Sequence, residues 1–412
     1  MNYEFFLAKR IISNKAYKSS VSAPIIKIGI TAIAIGMIVM LIAVATGLGM
    51  QKKVREKIVA FNGHVTITNY DTNASEESQV PISINQDFYP EFKTVEGIRH
   101  IQAVAKKFGI IRTEETFEGI VFKGVGREYD WSGMQEFLVE GRVPEFGEKA
   151  SNEVIVSKYL ANRLQFKLGD TFQTVFAKKD VNALPNIRAF TIVGIYDSGF
   201  QEFDKTYVLG DLKHVQRLNK WDADQIGYFE VFLEDYNDLP QKGIEVYQNT
   251  PSTLNAVTVE QKFVAIFEWI KIFDNNTYGI IGIMIIVAGI NMITALLVLI
   301  LERTQMIGIL KALGSTNWSI QKLFLYNAAY LIGLGLFWGN LIGLGLLFIQ
   351  QQFGLLKFPN PEEYYVNIIP VYIGWEYILL LNLGTFLACL LMLVVPSMII
   401  SKVSPVKAIK FD

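Results

Sequence analysis

Four stretches of the chain, at about 25–50, 277–301, 324–349 and 375–400, run almost without charge, and segments of ordinary mixed polarity separate them. A bilayer core of roughly 30 Å needs about 20 helical residues. Some 25 residues of helix rise about 37 Å, which leaves room for tilt, so each run predicts a membrane-spanning helix. Between the first and second spans the pattern changes. Alternation of apolar and polar positions predicts strands at 65–70, 101–106, 119–125, 153–157, 171–177, 189–196 and 228–233. Helical spacing marks 158–164, 211–219 and 239–249. Strands and helices without strict βαβ alternation predict an α+β domain. The expected fold class is therefore an α-helical membrane protein with four transmembrane helices and a large α+β extracytoplasmic domain between helices 1 and 2.

The domain hangs on helices at both ends. Helical character continues past Met50, and residues 260–273 (EQKFVAIFEWIKIF) carry apolar side chains at helical spacing straight into the second span. The expected organisation is a basic amphipathic helix at 1–22, a first span at 23–50 and the stalked domain at 51–272. A second span at 273–301, a short foot at 302–323 and a third span at 324–349 follow. An outer loop at 350–374, a fourth span at 375–400 and a tail at 401–412 complete it.

Charge orients this layout. The lead-in holds Lys9, Arg10, Lys15 and Lys18, the foot Arg303, Lys311 and Lys322, and the tail Lys402, Lys407 and Lys410. The loop 350–374 holds only Lys357, against Glu362 and Glu363. The positive-inside rule then places both termini and the foot in the cytoplasm, with 51–272 and 350–374 outside. Lys52, Lys53, Arg55 and Lys57 resist this rule, because they follow the first span on its outer side. A helix projecting from the membrane would hold them in water. The first apolar run starts late and ends in Gly47-Leu48-Gly49-Met50 without a small-x-small cleavage pattern, so it reads as a retained signal anchor.

Composition narrows the chemistry. The 412 residues are 51% hydrophobic and 19% charged with a net charge of −1, which provides no basic field for nucleic acid. The single cysteine, Cys389, reads as a small apolar packer in the last span. No Gly-Lys dipeptide occurs, so there is no Walker A loop. His64, His100 and His214 show no metal-ligand spacing, and no GxSxG elbow is present. The chain reads as a non-enzyme with no metal site and no catalytic residues. Span three carries Gly335, Gly339 and Gly343 on one helical face, a small-residue stripe for close helix packing. Asn291, Asn340 and Asn382 lie within spans, where amides bond across helices.

The foot is the most specific signal. Glu302-Arg303-Thr304-Gln305-Met306-Ile307-Gly308-Ile309-Leu310-Lys311-Ala312-Leu313-Gly314 resembles the ER-x-x-x-IGILKALG segment of the FtsX/MacB/LolC/LolE permeases, the mechanotransmission or type VII ABC transporters. The tail Ser404-Pro405-Val406-Lys407-Ala408-Ile409 is similar to that family's closing S-P-x-x-A-[LI]. Within the superfamily the likeness is to the lipoprotein-releasing LolC/LolE type. It rests on Leu160–Leu164 with Gly169-Asp170, on Val193–Tyr196 followed by Gly199–Asp204, on 364–371, and on Gly36 with the Gly47–Gly49 exit of span one.

That resemblance implies roles. The foot would be a coupling helix seated in a separate LolD-like ATPase, which would carry the ATP and Mg; this chain needs no cofactor of its own. Met306, Ile307, Ile309 and Leu310 would supply apolar contacts and Glu302 and Arg303 a polar rim, with Gly308, Lys311 and Gly314 completing the segment. ATP-driven movement of the feet would travel along the two stalks. Lipid tails would be received in an apolar cavity lined by Met40, Leu41, Val44, Leu48, Phe263, Ile266, Phe267 and Ile270. Residues 178–188 occupy the place of a carrier-binding hook, with Lys179, Leu184, Pro185 and Arg188 as its candidates. The implied partners are the ATPase, a second permease copy or paralogue, a LolA-like periplasmic carrier, a lipoprotein substrate and membrane lipids, in a bacterial inner membrane. Two alternatives from the same superfamily stay open: a MacB-like export permease and an FtsX-like signalling scaffold.

Overall fold

The computed structural model describes residues 23–70, 79–178, 184–359 and 364–402. The lead-in 1–22 and the tail motif at 404–409 lie outside them. The chain divides into two compact units: one runs to Gln51 and adds Trp269–Lys357 and the chain from Ile368, and the other comprises Lys52–Glu268 and Phe358–Asn367.

Among the described residues, four helices are long and apolar enough to cross a membrane. They are α1 (Ala23–Asn62), α2 (Val264–Glu302), α4 (Asn317–Phe353) and α5 (Trp375–Ser397), with the short α3 (Thr304–Ala312) between α2 and α4. Within the membrane unit α1 is central. On one side Gly29, Gly36 and Gly47 approach Ala295, Met284 and Thr277 of α2. On the other, Gly335, Gly339 and Gly343 of α4 receive Ile33, Met37 and Leu41 of α1. A Cβ at Gly339 would lie 2.7 Å from Met37 Cβ and 2.9 Å from the Ala34 carbonyl oxygen, so the backbones meet at a distance only glycine allows. Further along α1 a Cβ on Gly49 would stand 2.6 Å from the Pro370 oxygen, while the Tyr372 amide donates to the Ala45 carbonyl at 2.9 Å. Asn340 and Asn382 join α4 to α5. Asn291 departs from the cross-helix expectation: its amide donates back to Val287 O of its own helix.

The other unit is built on a ten-stranded sheet. In chain order its strands are β1 (Val65–Asn69), β3 (Ile98–Arg112), β4 (Phe117–Val125), β5 (Leu138–Gly141), β6 (Glu153–Ser157), β7 (Thr171–Phe176), β8 (Asn186–Tyr196), β9 (Tyr207–Asp211), β11 (Tyr228–Leu233) and β12 (Leu254–Thr258). A two-stranded pair, β2 (Ile82–Ser83) with β10 (Gln225–Ile226), stands apart. The spatial order is β12-β1-β11-β3-β4-β9-β6-β8-β5, with β7 bridging β3 and β8. Both parallel pairings, β4 with β9 and β6 with β8, sit among antiparallel neighbours. With helices at Lys158–Leu164, Leu212–Asn219 and Leu239–Gln248 beside the sheet, the domain is α+β.

Several strands extend past their sequence pattern. The run at 101–106 belongs to the fifteen-residue β3, because β4, β7 and β11 all pair with it and carry it through polar positions. β5 is too short and β9 too evenly buried to show alternation, and pairing defines them.

Candidate functional site

The foot begins where α2 stops. Arg303 leaves helical geometry (φ −100°, ψ 17°), and α3 starts at the next residue. Its end is a Schellman motif: Gly314 N donates to Lys311 O, Ser315 N donates to Leu310 O, and Gly314 takes φ +91°. Thr316 then caps α4 by accepting from Ser319 N. The Lys-Ala-Leu-Gly of the foot sequence is thus a helix stop, and Thr316 a helix start.

This geometry divides the foot residues. Ile307 is fully buried and Gly308 is buried, both within the helix core; Met306 and Leu310 are half-buried against that core. Ile307 is therefore corrected from a partner contact to a core residue, because a fully buried side chain has no surface to offer. Lys311 is committed internally as well: its Nζ donates to the carbonyls of Ile400 at 2.7 Å and Ser401 at 3.2 Å, which ties the foot to the end of the last span. The outward residues are Glu302, Ile309 and Gly314, together with Leu301 and Leu313, which sequence reading passed over. Leu313 is 78% exposed. Its place two residues past Lys311 gave the signal, since i+4 from Ile309 puts it on the same face.

The cavity candidates are buried or half-buried side chains. Met40 and Leu41 are enclosed in the membrane core, with Val44 at its margin and Leu48 half-buried against it. Leu41 fills the groove at Gly343, and Thr385 Oγ1 lies 3.9 Å from Met40 Sδ. Ile266, Phe267 and Ile270 are buried and Phe263 half-buried. Met40, Leu41 and Val44 thus belong to the packed helix core, with Leu48 against it. The second stalk is not one continuous helix: a turn at Val259–Lys262 ends at Phe263 (φ −114°, ψ 44°), and α2 begins after it.

At the hook position β7 and β8 form an antiparallel hairpin closed by Phe176 opposite Asn186. Arg188 is corrected from loop to strand, because it pairs with Thr174 inside β8. Leu184 is 84% exposed beside Pro185. Lys179 lies outside the described residues.

Residues of the 199–204 segment and Tyr365 converge at the end of the first stalk. Phe200 stacks on Tyr365 with ring centroids 4.5 Å apart and on Phe203 at 4.6 Å. Phe203 in turn meets Phe61 of α1 at 4.7 Å and Phe263 at 6.0 Å. Lys57 donates to the Tyr365 carbonyl at 2.9 Å. Asp204 Oδ1 accepts from Ser198 Oγ at 2.6 Å, and burial raises the Asp204 carboxyl to a pKa of about 6. The Gly199–Asp204 motif is thus a clasp around the stalk ends. It also disposes of the basic residues that resisted the orientation rule. Lys53 pairs with Glu136, Arg55 lies 4.8 Å over the Tyr236 ring, and Lys57 is spent on Tyr365, so three of the four serve the domain.

Sequence reading missed Lys123 and Glu230. Both side chains are fully buried, and Nζ lies 2.8 Å from Oε1. Their signal was one lysine in Gly-Ile-Val-Phe-Lys-Gly-Val and one glutamate in Tyr-Phe-Glu-Val-Phe-Leu, opposite charges in otherwise apolar strands.

Four membrane-length helices, an α+β domain between the first and second, and a foot between the second and third define a multi-span membrane protein. The MacB-like periplasmic core domain matches residues 28–243 and the FtsX-like permease C-terminal region matches 278–405. The chain belongs to the family built on that MacB-like core domain, joined to an FtsX-like permease region. It is 22% identical over 423 residues, 99% of each chain, to the lipoprotein-releasing system transmembrane protein LolE of Haemophilus influenzae. It is 23% identical over 394 residues, 92% of each chain, to LolC of the same organism. The solved periplasmic region of MacB from Actinobacillus actinomycetemcomitans aligns with a TM-score of 0.33 at 14% identity, covering 50% of this chain and 95% of that one.

Proposed function

We propose that this chain is the membrane subunit of an ABC transporter that draws lipoproteins out of the outer leaflet of a bacterial inner membrane and passes them to a periplasmic carrier. Both termini and the foot lie in the cytoplasm, and the α+β domain lies in the periplasm. A separate ATPase hydrolyses ATP and pushes on the foot, through the outward apolar pair Ile309 and Leu313 with Glu302 beside them. The permease acts with a second copy or a paralogue. The exposed Leu184 and Pro185 of the β7–β8 hairpin meet the carrier. The observation that carries this reading is similarity to the LolE and LolC proteins over nearly the full chain, membrane region and domain together. A helix stop that leaves Ile309 and Leu313 exposed while Ile307 is buried supports it. An acyl chain contributes roughly 0.8 kcal/mol per buried CH₂, so extraction of several chains needs an external energy source. The test is depletion of the protein followed by fractionation of acylated lipoproteins. Accumulation in the inner membrane is expected, and unchanged sorting would overturn the proposal.

A further inference from the structure

The first stalk ends on an ammonium group. α1 closes at Asn62, and Gly63, at φ +68°, turns the chain into β1. A Cβ at Gly63 would come 3.1 Å from Glu230 Cβ and 3.1 Å from the Val231 oxygen, so the helix end is seated hard against β11. Lys123 reaches this end from β4 and donates from Nζ to the Phe61 carbonyl at 2.7 Å. The same Nζ meets Glu230 of β11 at 2.8 and 3.0 Å. Gln102 of β3 donates to Glu230 Oε2 at 2.8 Å and accepts from Asp130 N at 3.1 Å. One cation thus joins the stalk end to β4 and β11, and through Gln102 to β3. The second stalk contributes independently: Lys262 Nζ lies 3.1 Å from Asn62 Oδ1. Its first residues continue from β12, which pairs with β1 at Thr258 opposite Val65.

Stability does not explain this arrangement. An ion pair removed from water seldom outperforms apolar residues of the same volume, and exchanging such pairs for apolar groups is often neutral or stabilising. What an apolar trio cannot supply is direction. The C-terminal end of a helix carries unpaired carbonyls and partial negative charge, and a lysine ammonium aimed at one of them fixes both position and rotation of the helix end. We propose that Lys123 is the positioning residue that locks the first stalk to strands β3, β4 and β11, so that displacement of the stalk enters the sheet without slack. The inference deepens the coupled-permease function proposed above and rests on it for its purpose, but the lock itself can be measured separately.

The test uses the full-length protein in lipid nanodiscs, with Cys389→Ala and spin labels at Glu56→Cys on the stalk and Arg112→Cys on β3. In the absence of nucleotide the unaltered joint gives a narrow distance distribution. Replacement of the pair by Lys123→Met with Glu230→Gln removes both charges of the pair and leaves neither partner uncompensated. It should keep the thermal midpoint within a few degrees while broadening the distribution at least twofold. Lys123→Arg, which retains a cationic donor, should stay narrow, and so should Glu230→Gln alone, which leaves the lysine on Phe61 O. A narrow distribution in the double variant overturns the lock. A Glu230→Gln distribution as broad as the double variant's also overturns it, by showing that the ion pair rather than the helix-end contact holds the stalk. If the double variant does not fold, Lys123→Gln with Glu230→Gln draws the donor back from Phe61 and carries the same expectation. Unchanged lipoprotein sorting on depletion would remove the proposed function and leave the lock; a narrow double variant would remove the lock and leave the function.

Discussion

Asn340 and Asn382 exchange side-chain hydrogen bonds in both directions, at 2.7 Å from Asn340 Nδ2 to Asn382 Oδ1 and at 3.0 Å in return. Each amide also donates to the carbonyl four residues earlier in its own helix, Leu336 or Ile378. Neither group is left with an unmet donor on an apolar helix face. Interhelical bonds of this kind contribute about 0.6 to 1.7 kcal/mol in membrane proteins. A double-mutant cycle with Asn340→Ala and Asn382→Ala, read by unfolding in micelles, should return a coupling energy in that range. A value of zero would show that the pair is incidental to packing.

The two faces of the foot should respond differently to charge. Ile309→Glu or Leu313→Glu changes an exposed position and should leave the protein monodisperse, while a co-expressed ATPase subunit is lost on purification. Ile307→Glu would bury a carboxylate in the apolar helix core at a cost of several kcal/mol, and should abolish stable expression. Retention of the ATPase by both outward variants would remove this face as the docking surface.

His64 gives the domain an acid-sensitive point. Its Nδ1 accepts from the Leu233 amide at 3.1 Å, and burial, helped by the Arg99 charge, lowers its pKa to about 4. Between about pH 4 and 6.5 the unfolded chain binds a proton that the folded domain refuses, so this group's contribution rises with pH and is complete above 6.5. His64→Asn keeps an acceptor in the same place without titrating. It should be more acid-stable than the native chain by on the order of 3 kcal/mol near pH 4. Parallel melting curves from pH 4 to 7 would disprove this.

Asp204 acts in the opposite sense. Burial is the main cause of its raised pKa of about 6, and the nearby Asp197 charge adds to it. Between about pH 4 and 6 the folded domain keeps a proton that the unfolded chain has released, so this contribution falls as pH rises. Asp204→Asn preserves an oxygen acceptor for Ser198 and should raise stability above pH 7 by on the order of 3 kcal/mol. The melting temperature of the two proteins should converge toward pH 4; an equal difference at every pH would exclude ionisation as the cause.

The spans, the α+β domain and the foot were legible because each is a one-dimensional pattern: twenty-odd apolar residues, period-two alternation, or a helix stop at glycine. The foot's inward and outward sides were less so. Ile307 and Ile309 are equally apolar in sequence, and only the packing of α3 on α4 makes one a core residue and the other a surface. Arg188 looked like loop because polar and apolar residues mix there, yet pairing with β7 extended the strand over it.

By itself the sequence determined which segments enter the bilayer and where helices start and stop, since those follow from length, hydropathy and local backbone chemistry. Tertiary structure alone decided what the charges were for. Lys123 and Glu230 stand far apart in the chain, and only the pairing of β4, β3 and β11 brings them together, with Lys123 on the Phe61 carbonyl at the end of α1. Within a strand a buried charge is merely unfavourable. It gains a role when the fold places a helix end and an opposite charge within hydrogen-bond reach, because Coulomb attraction and hydrogen bonding depend on distance in space and not on separation in sequence.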